Sequence, residues 1–151
     1  MAETPWLGDT CSLVEAFRRG ERTPVEELDA TLAAIAGSDL NAFSFLDADR
    51  ARERAMSADV TKPFGGVPIG VKQLDHVAGW PATEASVPLR DRVAGHTSVM
   101  VERVAGAGGA NAFGQTTASE FGGVNLTRTV LHGATRNPWN RSRTPGGSSG
   151  G

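Results

Sequence analysis

The stretch GGVPIGVK, residues 65–72, decides how this chain folds. Two glycines interrupt regular secondary structure. The short apolar run after them has the length, the proline and the glycine that are typical of an edge or strained β-strand. A helix is predicted next, from a Thr97 cap to Gly109, and then a strand near residues 110–114 that Asn111 weakens. Strand, helix and strand in this order predict a right-handed crossover. The predicted fold class is therefore α/β, a largely parallel or mixed β-sheet flanked by helices.

The first half of the chain, about residues 10–58, is predicted to be helical. Ser12 and Glu15 have the spacing of a capping box, in which each side chain satisfies a backbone N–H of the first turn. Gly20 has the position of a residue that ends a helix. These signals predict a short first helix.

More sequence signals support a second predicted helix than support the first. The stretch TPVE, residues 23–26, is a capping box with proline at the first helical position, and apolar residues recur at helical spacing until Gly37. That apolar stripe is interpreted as core packing and not as a partner-binding face. A strand over 41–46 follows, and Asp47 is expected to cap a charged helix over 48–58.

Composition predicts one soluble globular domain. The chain has 151 residues, 39% of them hydrophobic, and its 15 basic and 17 acidic residues give a net charge of -2. No basic run is longer than Arg18-Arg19, so neither nucleic acid nor an anionic membrane is an expected partner. Cys11 is the only cysteine, which excludes an intrachain disulfide and suits a reducing cytoplasm. The sequence contains no signal-peptide pattern and no apolar run of membrane-spanning length.

Common catalytic and metal motifs are missing from the sequence. The three histidines at 76, 96 and 132 stand far apart, with no pair at ligand spacing, so no zinc site is predicted. No GxSxG motif occurs, and a serine hydrolase triad with histidine therefore has no support.

Lys72 ends the apolar run, and two interpretations of it stay open on residue chemistry alone. The fold could draw the amine into a low dielectric, where burial disfavours the ammonium form and leaves a base. Alternatively, Lys72 extends its side chain from the strand end to keep its charge in water.

The stretch TPGGSSGG, residues 144–151, also has two interpretations. Four glycines among its last six residues allow positive φ and close backbone packing. The same composition is typical of an unstructured linker. The stretch is therefore either a flexible tail or a backbone cradle.

Three stretches together resemble consecutive blocks of the amidase signature family. They are GGVPIGVKQLDHVAGWPAT at 65–83, GQTTASEFGG at 114–123 and HGATRNPWNRSRTPGGSSGG at 132–151. Their order and spacing are similar to those of the family, and the resemblance extends over about residues 10–151. A GGSSGG motif that follows an Asn-Pro-Trp segment in the sequence is far more specific than a lone glycine motif.

The resemblance implies a large mixed β-sheet wrapped by helices and catalysis by a Ser-cisSer-Lys triad, with no metal or organic cofactor. Lys72 aligns with the catalytic lysine, and Ser148 aligns with the bridging serine that follows a cis peptide bond. Ser149 is implied to be a neighbour of lesser importance. Residues 1–151 are then the N-terminal part of one amidase domain, with a helical region about 10–58 and the start of an α/β core at 64–151.

The implied mechanism moves a proton to neutral Lys72 through the hydroxyl of Ser148, so that a second serine attacks an amide carbonyl and forms an acyl-enzyme. In the family that second serine and the oxyanion donors lie beyond the position of Gly151, so this chain is expected to be inactive alone. A second departure is Gln73, where the family often has an acid.

The expected function is hydrolysis of the C–N bond of a small-molecule carboxamide, and the resemblance also implies that a homodimer is common among relatives. Two alternatives stay open. The chain could belong to the A subunit of a glutamine-dependent aminoacyl-tRNA amidotransferase, which works with partner subunits. It could instead be a noncatalytic truncated scaffold. The substrate itself is not readable from the sequence.

Overall fold

The computed structural model describes residues 4–151, so the first three residues of the predicted domain lie outside it. Helices dominate the first 60 residues, and strands, turns and loops dominate the rest. In chain order the elements are α1 (Thr10–Arg19), α2 (Pro24–Ala36), β1 (Phe43–Leu46), α3 (Ala48–Met56), β2 (Pro68–Lys72), α4 (Val99–Val101) with a π-helical continuation (Glu102–Ala107), β3 (Asn111–Thr116), β4 (Arg128–Thr129) and β5 (Gly133–Ala134), with short 3-10 turns at Val87–Leu89 and Glu120–Gly122.

Strands β1, β2 and β3 form a mixed sheet in the order β1-β3-β2. β1 is antiparallel to β3. β2 is parallel to β3, because the N–H of Asn111 donates to the carbonyl of Val67 and, further along both strands, the N–H of Gln73 donates to the carbonyl of Thr116. The predicted α/β class, a mixed sheet with helices, is confirmed. β2 is an outer strand of this sheet, as its proline and glycine predicted.

The chain divides into two compact units, each made of three separate segments. The first unit takes the described residues up to Ser38 together with Asp47–Ile69 and Glu102–Phe113, and the second takes Asp39–Leu46, Gly70–Val101 and Gly114–Gly151. The predicted division of the chain into a helical region at 10–58 and an α/β core at 64–151 stays a prediction.

The first unit has its apolar core against α1. Three buried residues of that helix pack with Val67, and Trp6, Val60 and Ile69 surround them; the three are Leu13, Val14 and Phe17. Because these four buried side chains leave water together, the core ties the helical N-terminus to the chain that leads into β2.

Helix α1 begins three residues earlier than predicted, because its N-cap is Asp9 and not Ser12. Asp9 is its N-cap and accepts a hydrogen bond from the N–H of Ser12 at 2.8 Å. The hydroxyl of Ser12 instead donates to the carbonyl of Asp9 at 2.8 Å. The predicted capping box of Ser12 and Glu15 is therefore wrong, because aspartate is an equally good cap and lies at the preceding turn. Gly20 ends the helix at φ 70°, as predicted.

Helix α2 has the predicted beginning. Thr23 and Glu26 form the capping box, with Pro24 in the first turn, and Gly37 caps the C-terminal end. Leu28 on its apolar stripe is fully buried. Val25, Leu32 and Ile35 of the stripe are only partly buried, so its interpretation as core packing stays a prediction.

Asn111 has a structural reason to stand in a strand. Its side chain is buried, and its amide group donates to the carbonyl of Ala51 at 2.8 Å and accepts from the guanidinium of Arg54 at 3.1 Å. A polar side chain satisfied in this way costs little to bury. The residue that weakened the strand prediction therefore fastens α3 to the beginning of β3.

Within residues 4–151, no helix combines the length and apolar character that crossing a membrane requires.

Candidate active site

Lys72 is the last residue of β2, and the chain turns immediately after it. The N–H of Asp75 donates to the carbonyl of Lys72 at 2.8 Å, which closes that turn. The lysine side chain is half-buried, and its Nζ donates a hydrogen bond to Oγ of Ser148 at 2.8 Å. The fold thus joins two side chains that are 76 residues apart in the sequence.

Ser148 is held by its backbone along the chain that follows β3. Its carbonyl accepts from the N–H of Ser119 at 3.1 Å, and Ser149 forms a β-bridge with Ala118. The N–H groups of the two last glycines donate to the carbonyl of Thr117 at 3.3 and 3.1 Å. Residues 146–151, which we name the glycine segment, are therefore a backbone cradle and not a flexible tail.

Close packing explains why glycines occupy this segment. A Cβ on Gly147 would lie 2.6 Å from the backbone nitrogen of Leu126, and one on Gly150 would overlap the side chain of Thr127. Thr127 also donates from Oγ1 to the carbonyl of Gly146 at 2.8 Å. The peptide bond between Gly147 and Ser148 is cis, as the sequence resemblance implied.

A second loop approaches Ser148 with unusual backbone angles. A Cβ on Gly122 would lie 3.9 Å from Oγ of Ser148. Next to this glycine, Phe121 has φ 51°, and its N–H donates to the carbonyl of Glu84, which itself has φ 50°. Non-glycine residues in the left-handed region cost free energy and are concentrated at functional sites. Such strain beside Ser148 marks this loop as part of the candidate site.

The structure corrects one expectation about the histidines. His76 and His96 are not far apart, because their ring centroids lie 5.2 Å from each other, and Nε2 of His76 lies 2.9 Å from a carboxylate oxygen of Glu84. The cause is the loop after Lys72, which folds back on itself through a hydrogen bond from the N–H of Gly79 to the carbonyl of Ala94. Nowhere in residues 4–151 do three or more His, Cys, Asp or Glu side chains form a group that could hold a metal ion.

His132 does not join that pair. It lies in the turn between β4 and β5, and burial lowers the pKa of its imidazole below the ordinary 6.5.

The surroundings of Lys72 contain little charge. Within residues 4–151 no carboxylate lies within 4 Å of its Nζ. Gln73, which replaces the acid expected from the family pattern, is buried, and its side-chain amide makes no hydrogen bond within the described residues. The Ser148 hydroxyl is therefore the polar group that the lysine amine contacts. At 2.8 Å an amine and a hydroxyl can exchange a proton directly.

Three residues that position Ser148 were not singled out from the sequence: Ser119, Thr127 and Glu84. Ser119 lies within the stretch GQTTASEFGG, which carried the resemblance, but its contact with Ser148 is made by the backbone. Glu84 also acts through its backbone carbonyl, whereas Thr127 donates from its hydroxyl to the carbonyl of Gly146. Backbone contacts leave no residue-type signal, and the sequence does not show which distant carbonyl a hydroxyl contacts, so only the three-dimensional structure reveals these contacts.

Comparisons with known proteins agree on one family. A family model described as Amidase matches residues 26–151. The A subunit of the glutamyl-tRNA(Gln) amidotransferase of Roseiflexus sp. (strain RS-1) is 40% identical over 145 residues, which cover 91% of this chain and 30% of that relative.

Solved structures give the same result. A 6-aminohexanoate cyclic dimer hydrolase superposes with a TM-score of 0.86 at 31% identity, covering 94% of this chain and 30% of that one. A bacterial aryl acylamidase of the amidase signature enzymes family superposes with a TM-score of 0.84 at 28% identity, covering 95% of this chain and 32% of that one. The chain thus spans about a third of the length of the proteins it matches.

Proposed function

Because the chain belongs to the amidase signature family, we propose that it carries the proton-relay part of an active site that hydrolyses a small-molecule carboxamide. In this proposal Lys72 is the base and Ser148 is the bridging hydroxyl. The observation that supports these roles is the 2.8 Å hydrogen bond between Nζ of Lys72 and Oγ of Ser148.

The proposed reaction begins with Lys72 in its neutral form. The Ser148 hydroxyl passes its proton to the lysine nitrogen and takes the proton of a nucleophilic serine, whose oxygen bonds to the amide carbon. The C–N bond then breaks, and the proton returns through the same relay to the leaving amine. Water cleaves the resulting ester and releases the acid.

The nucleophile and the oxyanion donors of this reaction are assigned to sequence that, in the family pattern, follows the position of Gly151. Without them covalent catalysis is lost, and lost oxyanion donors alone typically reduce kcat by about 100- to 1000-fold. We therefore expect no amide turnover from residues 1–151 alone.

The test uses the longest reading frame that encodes this chain, assayed for release of ammonia or amine from aliphatic, aryl and peptide amides. Lys72→Ala and Ser148→Ala should each reduce kcat/KM by roughly 1000-fold or more, because each breaks the relay. Lys62→Ala and Ser149→Ala are the matched controls. Lys62 is the other lysine of the chain, and within residues 4–151 its amine donates a hydrogen bond only to the carbonyl of Gly106. Ser149 is the exposed neighbour of Ser148.

Wild-type turnover in Lys72→Ala or Ser148→Ala, with the circular dichroism spectrum unchanged, would refute the two roles. A reading frame that stops at codon 151 would favour the noncatalytic scaffold instead.

A second candidate has support from the relatives. The 40% identity to the A subunit of a glutamyl-tRNA(Gln) amidotransferase suggests that the carboxamide is that of glutamine and that the protein works with partner subunits. Affinity purification of the encoded protein from its own cells distinguishes the candidates. Stoichiometric partner subunits together with glutamine-dependent ammonia release support the amidotransferase, and amide hydrolysis by a protein that purifies without partners supports the free amidase.

A further inference from the structure

The charges of this chain are distributed unevenly. No Asp or Glu follows Glu120, whereas four of the 15 basic residues do, although the whole chain carries a net charge of -2. All four are arginines: Arg128, Arg136, Arg141 and Arg143. The last fifth of a net acidic chain is therefore strongly basic.

All four of these arginines line one cavity of about 270 Å³ in the second unit. Arg128 lies in β4, and Arg136 lies two residues after β5. The loop over 137–144 contributes Arg141 and Arg143. Hydroxyl groups of neighbouring threonine and serine side chains complete the polar wall. We name this the arginine cavity.

The backbone around the arginine cavity is held without the guanidinium groups. In the hairpin, the N–H of Thr135 donates to the carbonyl of Thr127 at 3.1 Å. In the loop, the N–H of Asn137 donates to the carbonyl of Arg143, and the N–H of Arg143 donates to the carbonyl of Asn140, both at 2.9 Å. Since backbone bonds already hold the frame, the arginine side chains are not required to build it.

The arginine cavity has more positive charge than negative charge around it. Asp39 is an ion-pair partner of both Arg136, at 3.3 Å, and Arg141. For Arg128 and Arg143, no carboxylate of residues 4–151 lies within 4 Å of the guanidinium. The four guanidinium groups that line the cavity repel one another, and an anion bound among them would relieve this repulsion.

We propose that the arginine cavity binds a small dianion, either a dicarboxylate or a phosphate. Guanidinium groups present paired N–H donors that match both groups in a bidentate way. A volume of about 270 Å³ lies just below the range of about 300–1,000 Å³ that is typical of ligand pockets, so it suits a small anion better than a nucleotide. This site is separate from the proposed amide hydrolysis and does not depend on it.

The site has a structural connection to the glycine segment. Thr127 lines the arginine cavity and also donates to the carbonyl of Gly146, two residues before Ser148. Thr144 lines the same cavity and accepts a hydrogen bond from the N–H of Gly146 at 3.3 Å. An anion bound there stabilises the walls that hold the segment, so binding should also raise the Tm.

The test titrates the protein encoded by the longest reading frame that contains this chain with inorganic phosphate and, separately, with succinate, at constant ionic strength, by calorimetry and two-dimensional NMR. We expect saturable 1:1 binding of at least one of them, with a Kd below about 10 mM and shifted arginine Nε–H signals. Binding of phosphate alone identifies a phosphate site, and binding of succinate alone identifies a dicarboxylate site. Absence of saturation for both would overturn the proposal.

A pair of variants separates the site from general charge. Arg128→Ala/Arg143→Ala should weaken binding by about tenfold or more, because it removes the two guanidinium groups that no carboxylate pairs. Arg50→Ala/Arg103→Ala changes the net charge by the same amount as the cavity variant, but at exposed positions outside the cavity. It should leave the Kd within about threefold of the wild-type value. Equal weakening in both variants, or in neither, would contradict the proposal.

If the Arg128→Ala/Arg143→Ala variant does not fold, a variant with a higher affinity for the dianion tests the proposal instead. Asp39→Asn removes the carboxylate that pairs with Arg136 and Arg141, so it should tighten dianion binding by about threefold or more. Unchanged or weaker binding in folded Asp39→Asn would count against the site.

Discussion

Helix α2 and the glycine segment are both clear signals in the sequence, but their conformations have different causes. Thr23 and Glu26, three residues apart, exchange the hydrogen bonds that begin α2. The glycine segment instead depends on partners that are distant along the chain. Thr127 is 19 residues from the carbonyl it contacts, and Lys72 is 76 residues from Ser148.

This difference teaches what kind of information each stretch carries. A capping box contains both partners of its hydrogen bonds, so reading four residues is enough to predict the turn. A glycine run only allows the backbone to approach other backbone closely, and the groups that it approaches are elsewhere in the sequence. Local partners make a structure predictable, and distant partners make it dependent on the fold.

The largest expected effect tests whether the stability of α2, like its N-terminal cap, depends only on residues close in the sequence. Leu28→Ala removes a fully buried side chain and should lower the free energy of unfolding by about 2–5 kcal/mol, because a cavity remains. Urea denaturation followed by circular dichroism measures this loss. Leu7→Ala, at an exposed position, is the control and should change the stability by less than about 0.5 kcal/mol. Equal effects would mean that burial does not hold the helix.

The next effect tests the long-range contacts of the glycine segment. Gly147→Ala places a Cβ 2.6 Å from the backbone nitrogen of Leu126 and should destabilise the segment by about 1–3 kcal/mol, as overpacking does. Hydrogen exchange at the Ser119 amide, which donates to the Ser148 carbonyl, should then accelerate.

The matched control for this variant is Gly95→Ala, where an added Cβ meets no atom within 4 Å. Protection of the Ser119 amide should be unchanged there. Unchanged protection in Gly147→Ala as well would show that the segment does not depend on close packing.

A smaller effect tests the local cap. Thr23→Ala removes the side-chain oxygen that accepts from the N–H of Glu26 and should cost about 1 kcal/mol. The same change should raise the pKa of the Glu26 carboxyl only part of the way toward its ordinary 4.5. It removes the hydrogen bond from the Thr23 hydroxyl, whereas the backbone N–H of residue 23, the larger cause of the lowered pKa, still donates to Glu26. Carbon-detected NMR titration of Glu26 measures that shift. A Glu26 pKa that does not move would exclude the Thr23 hydroxyl as one of the causes of the lowered pKa.

The smallest effect concerns His132, whose pKa is lowered by burial in the fold and not by a neighbour in the sequence. Its unfolded form takes up a proton below the ordinary pKa of 6.5 more readily than its folded form. The contribution to stability is therefore complete above pH 6.5 and is lost as the pH falls through the lowered folded pKa.

Urea midpoints at about pH 7.5, 6.5 and 5.5 check this pH dependence. The wild-type chain should lose stability over this range by more than His132→Gln does, since glutamine does not titrate. Identical slopes for the two proteins would remove His132 as the cause.

Much of the fold was predictable from short stretches. The cap at Thr23, the end of α1 at Gly20 and the strand that delivers Lys72 all lie where local signals predicted them. Two failures have physical reasons. The first cap is Asp9 and not Ser12, because several good capping residues stood within one turn. The contact of His76 with His96 was missed because a folded-back loop, and not sequence spacing, brings the rings together.

The candidate site was predictable only in part. Lys72 and Ser148 were named from the family resemblance, whereas residue chemistry alone left Lys72 open between a buried base and an extended surface cation. Ser119, Thr127 and Glu84 could not be found, because they act through backbone groups or side-chain contacts to backbone. The arginine cavity was invisible as well, since its four arginines are never adjacent in the sequence.

The sequence by itself determined the α/β class, the cap of α2 and the family, because these depend on residue patterns within short stretches and on the order of those stretches. Only the tertiary structure decided that Lys72 contacts Ser148, that the glycine segment is a cradle and that four arginines share one cavity. The physical reason is range: hydrogen bonds and charges act over a few ångströms in space, and the fold alone determines which distant residues come within that distance.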